Sequence, residues 1–129
     1  MKQIKLIDVV NAVEPLKKLA NAQTDNFSAL RAVSKLVKKS EEELTFYREE
    51  ANKISEKHIL KDENGNFIKD SENPNMVRVD SEYGKLMQEL ANTELTDFEE
   101  IEIKITDFKD FTLSANELDI LDKLVNIVD

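Results

Sequence analysis

Residues 27–58, FSALRAVSKLVKKSEEELTFYREEANKISEKH, decide the architecture. Leu30, Val33, Val37, Ser40, Leu44, Tyr47, Ala51, Ile54 and His58 recur at alternating intervals of three and four, a seam spanning four heptads. No Gly or Pro interrupts the chain from Phe27 to Leu60. The spacing predicts one helix from about Phe27 to His58, roughly 48 Å long at 1.5 Å per residue. A rod of that length outreaches a small domain, so part of it must project or pair with another helix. Leu36 and Phe46 broaden the apolar face, which implies packing on more than one neighbour. Ser40, Ala51 and His58 weaken the seam, so an autonomous long coiled coil is not expected.

Downstream, Lys61-Asp62-Glu63-Asn64-Gly65-Asn66-Phe67-Ile68 carries an Asn-Gly pair, the strongest short hairpin signal in the chain. Val77 and Val79 flank Arg78 and predict another short strand after an Asn73-Pro74-Asn75 turn. A second amphipathic helix begins at Asp80 or Ser81, with Tyr83, Leu86, Met87, Leu90 and Ala91 on one face and Gly84 weakening its first turn. Because a hairpin reverses the chain, this helix is expected to return antiparallel along the first. Residues 27–93 then form a helix–β-hairpin–helix arm.

The flanks, residues 1–26 and 94–129, supply its base. Ile4 and Leu6 alternate with polar neighbours as a strand over residues 3–7, and Asp8 is placed to cap a following helix. That helix continues through Val9, Val10, Ala12, Val13, Leu16, Leu19 and Ala20, but Pro15 interrupts it. Proline costs about 3 kcal/mol in a helix interior, so a kink near Val13 or two short pieces is expected. Residues 21–26 read as a loop. Ile101, Ile103 and Ile105 alternate with Glu100, Glu102, Lys104 and Thr106 as a one-sided strand. Its natural mate is the strand at residues 3–7, with Lys5 opposite Glu102. Ser114-Ala115-Asn116-Glu117 is a capping box opening a last helix, whose inner side carries Leu118, Leu121, Leu124, Val125 and Val128. The expected fold is α+β and mainly helical, one domain over 1–129, with a small antiparallel sheet and the N- and C-terminal helices at the base.

Composition narrows the chemistry. The 129 residues include 18 Lys plus Arg and 27 Asp plus Glu, a formal charge of −9, with two Gly, two Pro and no Cys or Trp. Lack of Cys removes disulfides, thiol nucleophiles, thiolate zinc sites and iron–sulfur clusters. Scarce Gly argues against phosphate-cradling loops. No apolar run is long enough to span a membrane, and the N-terminus lacks a signal-peptide core, so an intracellular chain is expected. Charge is polarised: residues 1–39 hold eight bases and three acids, a surplus of +5, leaving ten bases and 24 acids, or −14, in the remainder. Such polarity steers a partner, or draws the two halves of one fold together.

Candidate sites are few. His58, the single histidine, falls on the seam at a helix end, where a structural role outweighs catalysis or metal binding. Residues 62–66 fail the calcium-loop pattern, since glycine stands fourth and position twelve is Asn73. Glu41, Glu42 and Glu43 point in three directions around a helix and read as a solvated face. Arg31, Lys35, Lys38 and Lys39 form a basic stripe on the long helix; Glu99, Glu100 and Glu102 form an acidic counterpart on or beside the isoleucine strand. These seven residues are the candidate partner-binding positions. The nearest aromatics to the stripe, Phe27 and Tyr47, read as core, so direct nucleic-acid binding is disfavoured. No catalytic triad, phosphate loop or dinucleotide fingerprint is present, and neither enzyme activity nor a cofactor is expected.

The order of pieces carries a resemblance. Ile4-Lys5-Leu6-Ile7-Asp8-Val9-Val10-Asn11-Ala12-Val13 runs into Leu16-Lys17-Lys18-Leu19-Ala20-Asn21, and a long charged helix precedes Lys61-Asp62-Glu63-Asn64-Gly65-Asn66. Met87-Gln88-Glu89-Leu90-Ala91-Asn92-Thr93-Glu94 then leads to an acidic strand and Leu113-Ser114-Ala115-Asn116-Glu117-Leu118. This arrangement is similar to a family of small phage and prophage proteins of Gram-positive bacteria, classed as a domain of unknown function. The resemblance covers nearly the whole chain and implies viral origin and a non-enzymatic role. The function expected is a phage accessory protein binding a phage structural or host protein, or itself, in the infected cell's cytoplasm or with the virion. The alternative is an acidic nucleic-acid mimic that occupies a host defence or DNA-processing enzyme.

Overall fold

A computed structural model describes residues 3–73 and 75–128. Strand β1 (Ile4–Lys5) leads directly into helix α1 (Leu6–Ala20), and helix α2 (Phe27–His58) follows a short loop. After the irregular tip come α3 (Tyr83–Ala91), β2 (Glu94–Leu95), β3 (Glu102–Lys104), a 3₁₀ turn (Ile105–Asp107), α4 (Ala115–Asp122) and β4 (Asn126–Val128). The chain is α+β and mainly helical, with the long helix where the seam places it.

Helix α1 is the hub of the base. It packs most extensively on α2 and also on α4, and its inner residues Leu6, Val9, Ala12, Leu16 and Leu19 are inaccessible to solvent. Val33 and Leu36 of α2, with Phe98, Ile103, Phe108, Leu121, Leu124 and Val125, complete one core. Pro15 neither breaks α1 nor divides it: the helix runs unbroken through this buried residue. The carbonyl that loses its donor belongs to Asn11, an exposed residue on the outer side of the helix. Asp8 is not the cap residue either. Leu6 opens the helix, and the Asp8 carboxylate accepts back from the Lys5 amide at 3.1 Å.

The strands pair differently from the expected arrangement. β1 is antiparallel to β2, with Ile4 opposite Leu95 and Lys5 opposite Glu94 rather than Glu102. β3 instead pairs in parallel with β4, Ile103 opposite Ile127. A parallel pair needs a crossover, and the segment carrying α4 supplies it. The last helix therefore ends at Asp122, and Val128 belongs to a strand. The expected small antiparallel sheet forms as β1–β2, and β3 and β4 make a second, parallel pair. The capping box does form: Ser114 N donates to Glu117 Oε1 at 3.0 Å, and Glu117 N donates to Ser114 Oγ at 3.1 Å.

Beyond the core, α3 lies on α2 to make the arm. None of the described residues from Glu41 to Glu89 is fully buried. At the tip, three extended segments each bond to both others. Leu60 N donates to Arg78 O (2.9 Å), Ile68 N to Leu60 O (3.0 Å) and Arg78 N to Ile68 O (2.7 Å). The hairpin is thus closed by a third segment into a small ring with few free backbone edges. Gly65 turns the first hairpin at φ +82°. Pro74, of the expected turn, lies outside the described residues.

Candidate functional site

The base presents a groove of about 480 Å³ between the first half of α2 and the stretch joining β2 to β3. Arg31, Lys35 and Lys39 stand at four-residue intervals on one wall, with Ala32 and Leu36 beside them. Asp97, Phe98, Glu99 and Ile101 line the other. An α-helix advances about 100° per residue, so 31, 35 and 39 form a slowly turning row along this groove, while Lys38, a full 100° round from Lys39, falls outside its lining. There Lys38 borders a shallow hollow with Ser34, Val37, Glu41, Glu42 and Thr45.

Lys39 holds the two walls together. Its ammonium lies 3.2 Å from the Asp97 carboxylate, donates to the Asp97 carbonyl, and sits 4.5 Å from the centre of the Phe98 ring. Phe98 is itself buried, so the cation covers a ring already seated in the core. Near this latch, partial burial raises the Glu43 carboxyl above its ordinary range and the Asp97 charge adds to the effect. Arg31 and Lys35 differ from Lys39: both are exposed, and among the described residues neither makes an ion pair.

The groove therefore gathers Arg31, Lys35, Lys39 and Glu99 from the seven candidate positions. It does not gather Lys38, Glu100 or Glu102. Glu100 accepts from the Asn126 side-chain amide at 2.9 Å, and Glu102 sits exposed on β3. Asp97 and Phe98, absent from the sequence-derived set, form half of the latch; a lone aromatic set among acids in Thr96-Asp97-Phe98-Glu99 was their signal. Phe27 is not core as its spacing suggested but 72% exposed at the start of α2.

Several long-range pairs knit the charged halves. Lys18 reaches Glu117 at 2.9 Å, and its hydrogen bond, reinforced by the Ser114 amide, holds the Glu117 carboxyl below its ordinary range. Asn26 caps α2 by accepting from the Ala29 amide (3.1 Å), while its amide nitrogen donates to Asp107 (2.9 Å). Asp97, Glu100, Asp107 and Glu117 thus hold internal partners rather than standing as a free row of carboxylates. His58 lies far from the groove in sequence and bonds Asp80. Among the described residues no cluster of His, Asp or Glu has the makings of a metal site, and no helix is long and apolar enough to cross a membrane. Protein-family models, curated proteins and solved structures yield no match to this chain.

Proposed function

We propose that this chain is a non-enzymatic accessory protein of phage or prophage origin that works by binding another protein, a virion component or a host protein, in the infected cell. One observation supports the reading: Arg31 and Lys35 stand exposed beside apolar groove residues and make no ion pair among the described residues, whereas Lys18 and Lys39 are both engaged within the fold. Exposed cations beside apolar surface suit a protein interface, where charge complementarity sets specificity and association rate. The four acids engaged internally weigh against the nucleic-acid mimic, which needs its carboxylates free and regularly spaced.

The test is affinity capture with the purified chain from phage-infected Gram-positive cells, beside an R31E/K35E variant. Partners retained by the parent chain and lost from the variant support the reading. Partners shared equally by both would remove the groove from it, and capture of nucleases or other DNA-processing enzymes through an unaltered surface would favour the mimic. Light scattering at two protein concentrations checks separately for self-association.

A further inference from the structure

We infer that the groove between α2 and the 97–101 stretch takes an extended acidic peptide segment of another protein, two carboxylates flanking one aliphatic side chain; this rests on the protein-binding reading above. Arg31 and Lys35 are one helical turn apart, about 6 Å along the axis. Residues i and i+2 of an extended chain lie on one face about 6.6–6.8 Å apart. Two such acidic side chains would meet both cations at once, while the residue between them points to the facing wall at half-buried Ile101. A single helical turn, about 10 Å across and 5.4 Å tall, would already fill roughly the whole space, so an extended segment places more of its side chains inside.

Charge complementarity selects the polarity of the occupant. The chain as a whole is at −9, but charges beyond about 8 Å are screened at physiological salt, so contact is governed by the local pair of cations. Glu99 on the far wall repels a third acid and sets which way the segment lies. The same residue disfavours a phosphate backbone. Within the groove lining, moreover, bases find no free ring: Phe98 is 6% exposed and its ring is covered by the Lys39 ammonium. What the floor offers is aliphatic contact.

The experiment is selection of displayed random 12-residue peptides on the full chain, followed by fluorescence anisotropy with the labelled consensus. Enrichment of an acid–aliphatic–acid pattern is expected, with affinity falling at least tenfold on R31E/K35E and on replacing both peptide acids by glutamine. Arg31 and Lys35 make no ion pair among the described residues, so the variant should keep its helical circular dichroism; if it does not, R31Q and K35Q separately give the same readout. A consensus without paired acids, or one bound within twofold by the variant, overturns the groove assignment and leaves protein binding to another surface. Failure to enrich any peptide also overturns it, while folded partners in the capture experiment would still uphold the broader reading. An oligothymidylate bound more tightly than the consensus and lost in the variant overturns it in favour of nucleic acid. Inorganic phosphate competing as well as the glutamine-substituted control is outcompeted would mark a simple anion site and overturn it too.

Discussion

His58 Nδ1 and Asp80 Oδ2 are 2.7 Å apart, joining the last residue of α2 to the turn that starts α3. The backbone repeats the link, since Asp80 N donates to His58 O at 3.0 Å. The other carboxylate oxygen accepts from the amides of Glu82 and Tyr83, so one side chain both closes the tip and holds the turn that leads into α3. The His58 hydrogen bond first, and these amides after it, hold the Asp80 carboxyl below its ordinary value.

Asp80 sets the acid limit of the arm. A carboxyl whose folded value is lowered contributes fully above its unfolded value and loses that contribution as pH falls through the folded one. The tip should therefore loosen below about pH 4. Amide exchange read by NMR should rise at Leu60, Ile68, Glu82 and Tyr83 while Leu16 and Leu121 stay protected. Asp80→Ala should reproduce that pattern at neutral pH; equal loss of protection in the base would refute the assignment.

The two glycines should respond with opposite sign. Gly65 has φ +82°, a region that L side chains adopt at a cost, so Gly65→Ala should destabilise the tip by about 1 kcal/mol. Gly84 lies within α3 with open space where a Cβ would stand, so Gly84→Ala should stabilise the arm by about 0.5 kcal/mol. Denaturant titration followed at the arm distinguishes them. Matching signs would mean that backbone conformation is not what separates these sites.

Ser40 is fully buried, and its hydroxyl has no hydrogen-bond partner among the described residues. An unsatisfied buried polar group costs roughly 1–3 kcal/mol, and alanine is the better helix former. Ser40→Ala should raise stability by about 1 kcal/mol in thermal or chemical unfolding. A loss of similar size would show that the hydroxyl is bonded in solution.

Ser114→Ala removes one half of the capping box at α4 and should cost about 1 kcal/mol. It should also weaken the grip on Glu117, whose carboxyl would titrate closer to its ordinary range. Side-chain NMR titration of Glu117 in parent and variant measures this. An unchanged midpoint would leave the effect to Lys18 and to the Ser114 backbone amide, which the variant keeps.

Local signals survived into the fold and non-local ones did not. The limits of α2, the Asn64-Gly65 turn and the Ser114–Glu117 box are each written within a few neighbouring residues, where spacing and capping chemistry act directly; the returning helix starts at Tyr83 rather than at Asp80 or Ser81. Pro15 misled because its penalty depends on what surrounds it: the ring is buried, and Asn11, whose carbonyl loses its donor, is an exposed residue. For the candidate site, the periodic row at 31, 35 and 39 was legible, while the choice among Glu99, Glu100 and Glu102 was not.

By itself the order of residues determined that a rod near 48 Å would leave the core and return on itself, because helix periodicity and turn preference are properties of short stretches. Only the tertiary structure decided that β1 joins β2 while β3 joins β4, since alternation marks a strand without naming its mate. It also decided that Lys39 would be spent on Asp97, 58 residues away, and that Arg31 and Lys35 would be left open. Identical side chains on one helix diverge in role because pairing depends on what the distant chain brings opposite each of them.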